Sequence, residues 1–228
     1  MADVENFMGV SAGDIEKIMG VAASDIEKVM GLGIVTATFQ GSRVLIFSGE
    51  NSGDDDVIDY KAVTSNGNCS DFGDISVSCA WAIAFSNGSR GVCHVSRVSF
   101  EAANILEYVT IGTTGDSSDF GDVTVARQWG AGSSNGIVGI VAGGKDDPAL
   151  SDVMDYVTIA STGNATDWGD LATDGHYMEG VSVLDRALFN TANTVSGAVA
   201  DVVVTIEYVL TASTGNASDF GDLVVSRY

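Results

Sequence analysis

Basic residues, proline, cysteine and histidine are all scarce in this chain, and each scarcity closes off a class of answer. Ten Lys and Arg stand against thirty-one Asp and Glu in 228 residues, a formal charge of −21. A surface of that sign repels phosphate backbones and anionic headgroups, so neither nucleic acid nor membrane insertion is expected. The acidity is spread through the chain, as suits the solubility of a crowded β surface. Pro148 is the single proline beside 28 glycines, a composition for many tight turns between strands. Cys69, Cys79 and Cys93 are odd in number and lack metal-type spacing; they are expected as thiols. His94 and His176 are far apart, with no Cys or Asp at ligand spacing, so neither zinc nor catalysis is expected of them. Asp3 and Glu5 stand where a signal peptide would be basic. No run approaches the roughly 18 apolar residues of a membrane span. The expectation is a chain made in a cytoplasm, and at 45% apolar it can bury a core.

What the chain has is one sentence written four times. YKAVTSNGNCSDFGD starts at Tyr60, YVTIGTTGDSSDFGD at Tyr108, YVTIASTGNATDWGD at Tyr156 and YVLTASTGNASDFGD at Tyr208. Each copy ends on Asp, an aromatic, Gly and a second Asp: Asp71, Phe72 and Asp74; Asp119, Phe120 and Asp122; Asp167, Trp168 and Asp170; Asp219, Phe220 and Asp222. The tyrosines fall 48, 48 and 52 residues apart, a fixed period of the kind that marks repeat architectures.

Alternation around each Tyr, as in Ile58, Tyr60 and Ala62 against Asp59 and Lys61, predicts a strand with one face buried. The Ser-Thr-Gly-Asn run that follows predicts a loop. Alternation after the second Asp (Val123 and Val125, Leu223 and Val225) predicts the next strand, with irregularity at 171–176. Further runs at 44–47, 91–95, 137–141 and 186–189 bring each unit to about four strands. Four such units, roughly 35–80, 81–129, 130–177 and 178–228, cannot each bury two faces alone. Arranged radially they make an all-β, four-bladed propeller over 35–228, preferred to a β-solenoid or an intertwined fibre. In it the first Asp of each motif should bond turn amides while the aromatic wedges between blades.

Residues 1–34 carry a different, eleven-residue repeat: Met8-Gly9-Val10, Met19-Gly20-Val21 and Met30-Gly31-Leu32, with Asp-Ile-Glu-Lys between. Ile15, Ile18 and Met19, and again Ile26, Val29 and Met30, have i, i+3, i+4 spacing, which predicts short amphipathic helices. Ser24 and Glu27 have capping-box spacing. Such helices are marginal alone, so this arm either packs on the chain's own β domain or docks on a partner or symmetry mate. The preferred reading is an anchor, with a homo-oligomer expected.

Several strings imitate catalytic motifs. Asp-Phe-Gly at Asp71, Asp119 and Asp219 lacks the other kinase elements. Gly139 to Lys145 fits most of a phosphate loop, but Asp146 replaces the Ser or Thr that would hold magnesium; it is better explained as a strand ending in a Gly-Gly turn. Asn68, Asn87, Asn164 and Asn216 sit in glycosylation-type triplets read here as turn chemistry. Asp54 to Asp56 and Asp146-Asp147 could hold calcium, but hairpin tips are the simpler reading. No catalytic residue, metal ligand or cofactor is assigned.

The repeat, best seen at 154–170, 106–127 and 206–227, resembles the kelch-like repeat of bacteriophage virion proteins, particularly of marine and cyanobacterial tailed phages. The Met-Gly-Val and Asp-Ile-Glu-Lys segment is similar to N-terminal repeats that precede appendage domains in phage structural proteins. The resemblance implies a non-enzymatic virion component: a tail fibre or appendage, anchored on other virion proteins by residues 1–34, whose propeller meets a host-surface glycan or receptor. A capsid decoration protein is the alternative, and a free carbohydrate-binding or lyase-type propeller is the rival class. Arg127 and Arg227 have no counterpart at Cys79 and Gly175, so individual blades have diverged.

Overall fold

The structure is a computed structural model that describes residues 43–48, 55–146, 148–183, 185–191 and 204–225, with the backbone of 6–7, 10–11, 17–18 and 21–22. The chain divides into two compact units, Met1–Thr38 and Phe39–Tyr228. Among the described residues every regular element is a strand.

In the first unit β1 (Asn6–Phe7) pairs with β2 (Val10–Ser11), and β3 (Lys17–Ile18) pairs with β4 (Val21–Ala22), both antiparallel. The two pairs are one pattern displaced by eleven residues, with a Met-Gly pair between the strands of each. This corrects the helix expected around Ile18, which lies in a strand opposite Val21. A helix through these repeats would carry a glycine at a cost of about 1 kcal/mol each, whereas a two-residue link containing glycine is a favoured hairpin connection. Ile15, Met19, Ile26, Val29 and Met30 lie outside the described residues.

The second unit is four antiparallel sheets. Sheet 1 holds β5 (Arg43–Phe47), β6 (Asp55–Ala62) and β7 (Ser70–Cys79); sheet 2 holds β8 (Ile83–Ser86), β9 (Arg90–Val98), β10 (Glu101–Thr110) and β11 (Ser118–Asp122). Sheet 3 holds β12 (Ala131–Ser134), β13 (Val138–Asp146), β14 (Ala149–Thr158) and β15 (Thr166–Asp170). Sheet 4 holds β16 (Glu179–Val183), β17 (Arg186–Asn190), β18 (Thr205–Leu210) and β19 (Ser218–Asp222). Within each sheet neighbouring strands are consecutive in sequence, the meander of a propeller-like blade. The motif Tyr lies in β6, β10, β14 and β18, and the Asp-aromatic-Gly-Asp string is itself the last strand, β7, β11, β15 or β19.

The alternating run after that string is a strand only in sheet 1, where β7 continues to Cys79. In sheets 2 to 4 the last strand stops at the second Asp, which corrects the strand expected around Val123, Val125 and Leu223. In sheet 1 the ladder resumes with Cys79 opposite Asp55; in the other sheets no such pair re-forms among the described residues, and the backbone past the second Asp goes to other partners. Val123 and Leu171 donate to the Asn104 and Asp152 carbonyls at 2.8 Å. The N–H two residues past the second Asp goes to a carboxylate of the following sheet: Ser76 to Glu107 (3.0 Å), Thr124 to Asp155 (3.1 Å) and Ala172 to Glu207 (2.7 Å).

Each last strand carries a β-bulge at its aromatic. Opposite Ile58, Leu106, Met154 and Ile206 stands the motif glycine, opposite the next residue stands the first Asp, and the aromatic between is extra. The bulge turns the ring onto the motif Tyr, edge to face, at 5.9, 6.0, 5.2 and 5.9 Å in the four sheets. It also turns the strand's outer edge toward the following sheet, whose Ser-Thr-Gly-Asn loop docks on it. Gly115, Gly163 and Gly215 donate their N–H groups to Phe72, Phe120 and Trp168 carbonyls at 2.7, 2.7 and 2.8 Å. Ser117, Ala165 and Ala217 donate to Asp74, Asp122 and Asp170 at 2.9, 2.7 and 2.8 Å. The loop side chains answer: Asp116, Asn164 and Asn216 accept the N–H of those same aspartates.

Between the sheets lie three apolar clusters, each shared by two successive sheets. Ile58, Phe72 and Ile75 meet Val95 and Val109; Leu106, Phe120 and Val123 meet Val141 and Val157; Met154, Trp168 and Leu171 meet Phe189 and Val209. The arrangement is propeller-like, but among the described residues no cluster joins sheet 4 to sheet 1, so the expected ring of four is not completed by them.

Gly121 shows how tightly a junction is closed. Its φ is +143°, and a Cβ there would stand 2.5 Å from the Gly163 carbonyl oxygen. Gly221, the same position in sheet 4, has φ +136° with nothing within 4 Å of its Cβ direction. Gly121→Ala should therefore cost about 3 kcal/mol, strain plus a backbone clash. Gly221→Ala should cost about 1 kcal/mol, strain alone. Urea unfolding of the two variants measures both, and equal losses would show that the glycine-on-glycine approach contributes nothing.

Candidate functional site

The motif residues are consumed in building sheets and junctions. Asp167 and Asp219 each accept the N–H of the motif glycine two residues on, at 3.0 and 2.9 Å, and Phe72, Phe120 and Trp168 are buried between sheets. Tyr60, Tyr108 and Tyr208 are each roofed by a guanidinium, of Arg43, Arg90 and Arg186, at 4.3 to 4.7 Å. Two of these reach on to the next sheet: Arg43 donates to the Ile111 carbonyl and Arg90 to that of Ile159.

The other candidates resolve the same way. The phosphate-loop look-alike lies within β13, which runs through Gly143 and Gly144 instead of ending there. The ladder slips between Ala142 and Gly144, and Gly144 donates to the Gly175 carbonyl at 2.7 Å. Asp55 spends a carboxylate oxygen on the N–H groups of Asp56 and Val57; Asp54 and Asp147 are outside the described residues. Asn87 accepts from the backbone of Ser89 and Arg90. Cys79 and Cys93 are buried between sheets 1 and 2, and Cys69 is exposed.

The junction of sheets 2 and 3 encloses a charge. Arg127 and Asp155 are fully buried and meet at 2.7 Å. Arg127 also donates to the Val141 carbonyl, and Asp155 accepts from the N–H and hydroxyl of Thr124. Close by, His94 Nε2 sits 3.0 Å from the Ala103 carbonyl; because a carbonyl only accepts, that nitrogen carries the proton. Burial, and then the Arg127 charge, lower the His94 pKa to about 3. A neutral histidine in such a place is a structural donor.

A feature that the sequence reading missed faces outward. Where the chain leaves one sheet for the next it passes through Trp81, Trp129 and Tyr177, 48 residues apart and each two residues before a first strand. All three have left-handed backbones, with φ of +62°, +62° and +55°, a conformation that costs a bulky residue about 1–3 kcal/mol and tends to persist at functional positions. Trp81 and Tyr177 are nearly half exposed, at 47% and 45%. The Trp129 ring lies 5.0 Å from that of Tyr177 and 5.5 Å from that of His176, and Lys145 Nζ is 5.7 Å from its centroid. These rings border an open hollow of about 660 Å³ that also takes in Glu179 and Asn190. Its floor is backbone, because Ala84, Gly132 and Gly180 stand at one repeat position and let the first strands touch: a Cβ on Gly180 would be 2.4 Å from the Gly132 oxygen. The signal was present in the 48-residue spacing, but these residues fall at the unit boundaries, outside the motif. Three flat rings over a shallow floor, with a carboxylate and a carboxamide at the side, can stack on a planar or ring-shaped ligand and bond its hydroxyls.

The His94 shift has a consequence for stability. Its native pKa lies below the ordinary 6.5 of an unfolded chain, so below pH 6.5 the unfolded state binds a proton that the native state refuses. Stability is therefore lost as pH falls from 6.5 toward 3. Between pH 7 and 4.5 the wild type should lose about 2–3 kcal/mol more than His94→Gln, measured by urea unfolding at each pH; equal losses would rule out the histidine as a cause. In comparison with known proteins, no family model matches the chain and no curated protein is similar to it.

Proposed function

We propose that this chain is a non-enzymatic structural protein of a bacteriophage virion, a tail fibre or tail appendage component made of kelch-like propeller blades. Residues 1–34 anchor it on other virion proteins, and the Trp81, Trp129 and Tyr177 row meets a host-surface saccharide. The virion assignment rests on the resemblance of the fourfold repeat to phage virion repeats. The observation that supports a non-catalytic role is that the repeated carboxylates and aromatics serve the sheets and their junctions. The outward aromatic row favours a tail appendage over a capsid decoration protein, because a decoration protein must fit its lattice and gains nothing from exposed rings suited to sugars.

Two measurements test this reading. Mass spectrometry of gradient-purified particles should find the chain at fixed stoichiometry with tail proteins; its presence only in the soluble lysate would overturn the virion role. Tryptophan fluorescence titrated with purified surface polysaccharide of the host strain should saturate. Trp81→Ala and Tyr177→Ala should each weaken that binding tenfold or more, as aromatic anchors do, while leaving the melting temperature in place. Binding unchanged in both variants would move the recognition surface elsewhere.

A further inference from the structure

The three junctions inside the chain follow one recipe, and both halves of a fourth copy lie exposed at its ends. On the forward side of sheets 1 to 3 the aromatics Phe72, Phe120 and Trp168 are 2–4% exposed, while Phe220 on sheet 4 is 49% exposed. Phe220 still packs edge to face on Tyr208, so the motif is correctly formed and simply uncovered. Beside it Val224 is 98% exposed, where Ser76, Thr124 and Ala172 are held by the next sheet's carboxylate. A hollow of about 350 Å³ lies on that face between Val181, Leu188, Ile206 and Leu223. On the rear side, Ile111, Ile159 and Thr211 are 0–8% exposed, but Val63 on sheet 1 is 48% exposed, with Val44 and Ile46 beside it. Ser117, Ala165 and Ala217 are partly buried by the preceding sheet, whereas Cys69, at the same place, is exposed.

We infer that two copies of this chain join head to tail, sheet 4 of each receiving sheet 1 of the other, in one closed ring of eight sheets. Every polar element of the internal recipe has its counterpart at these ends. The Gly67 and Cys69 amides match the Phe220 and Asp222 carbonyls; the Asn68 side chain matches the Asp222 N–H; the Asp59 carboxylate matches the Val224 N–H. Arg186, which roofs Tyr208 as Arg43 and Arg90 roof theirs, matches the Val63 carbonyl. A contact between two different faces of one molecule must either close or propagate as a filament. Eight sheets is within the range of closed propellers. The closing junction is more polar than the internal ones, because Lys61 stands where Val109, Val157 and Val209 are buried, and Asn190 where sheet 3 has Ala142. That suits an interface assembled from folded chains. The proposal does not depend on the virion reading.

Light scattering coupled to gel filtration, on the full chain from 1 to 100 μM in 0.15 M salt, should find a species of twice the chain mass. Val224→Asp, which sets a carboxylate against Asp59, and Val63→Arg, which sets a cation against Arg186, should each weaken dimerisation at least tenfold. Both sites are exposed in the protomer, so circular dichroism should be unchanged, and melting should differ from the wild type only by the lost, concentration-dependent contribution of the dimer. An equimolar mixture of the two variants should recover a two-chain species, since one unmodified junction remains. Maleimide should label Cys69 more slowly in the wild-type dimer than in either variant. A wild-type monomer at 100 μM, an open-ended series of oligomers, or a dimer indifferent to both substitutions would each overturn the closed ring.

Discussion

The fold depends on a place where two backbones come so close that no side chain fits between them. At each internal junction a glycine on the bulge of one sheet lies against a glycine in the loop of the next. That approach lets the loop amides reach the strand's outer carbonyls, so a sheet edge that would otherwise be an unpaired row of donors and acceptors is saturated by its neighbour. The rest of the motif serves this contact. The extra aromatic creates the bulge and fills the space behind it, the Tyr receives its edge, and the loop Asn or Asp caps the N–H that the bulge leaves exposed. A string that looks like a catalytic triplet is thus a device for joining sheets.

The acidity has two origins that composition alone merges. Among the described residues most carboxylates are on the surface, but Glu107, Asp155 and Glu207 are buried, one at each junction, where they take the backbone of the preceding sheet. Their partners are N–H and hydroxyl groups, with a guanidinium only at Asp155. Three buried carboxyl groups are therefore held by donors of the neighbouring sheet, an arrangement that is stable only while both sheets are present.

The period, the strands around each Tyr and the loop after it were legible in the sequence, because period-two alternation and turn residues act locally. Three things were not. The helices expected around Ile18 follow from apolar spacing that a short segment shares with a hairpin. The run after Asp122 alternates like a strand, but the Thr124 N–H is claimed by the Asp155 carboxylate of the following sheet, which no local pattern reveals. The row at Trp81, Trp129 and Tyr177 sits between motifs, in connections where neither alternation nor turn residues mark a position. One long-range signal could have been seen: Lys61 stands where three other units have valine, which marks the rear face of sheet 1 as different from the others.

Because each sheet shares apolar clusters with its sequence neighbours alone among the described residues, the energetics are those of a short one-dimensional lattice. An inner sheet is held by two couplings and a terminal sheet by one. Loss of order should start at the termini of the array and travel inward, and a calorimetric transition of the isolated protomer should be broader than a two-state process of its size. The number of sheets is then adjustable: adding or deleting one 48-residue segment changes the count of couplings by one and leaves every remaining coupling as it was. A lineage carrying this repeat could vary the length of an open array without having to redesign its internal contacts, whereas a closed ring of two chains fixes the count.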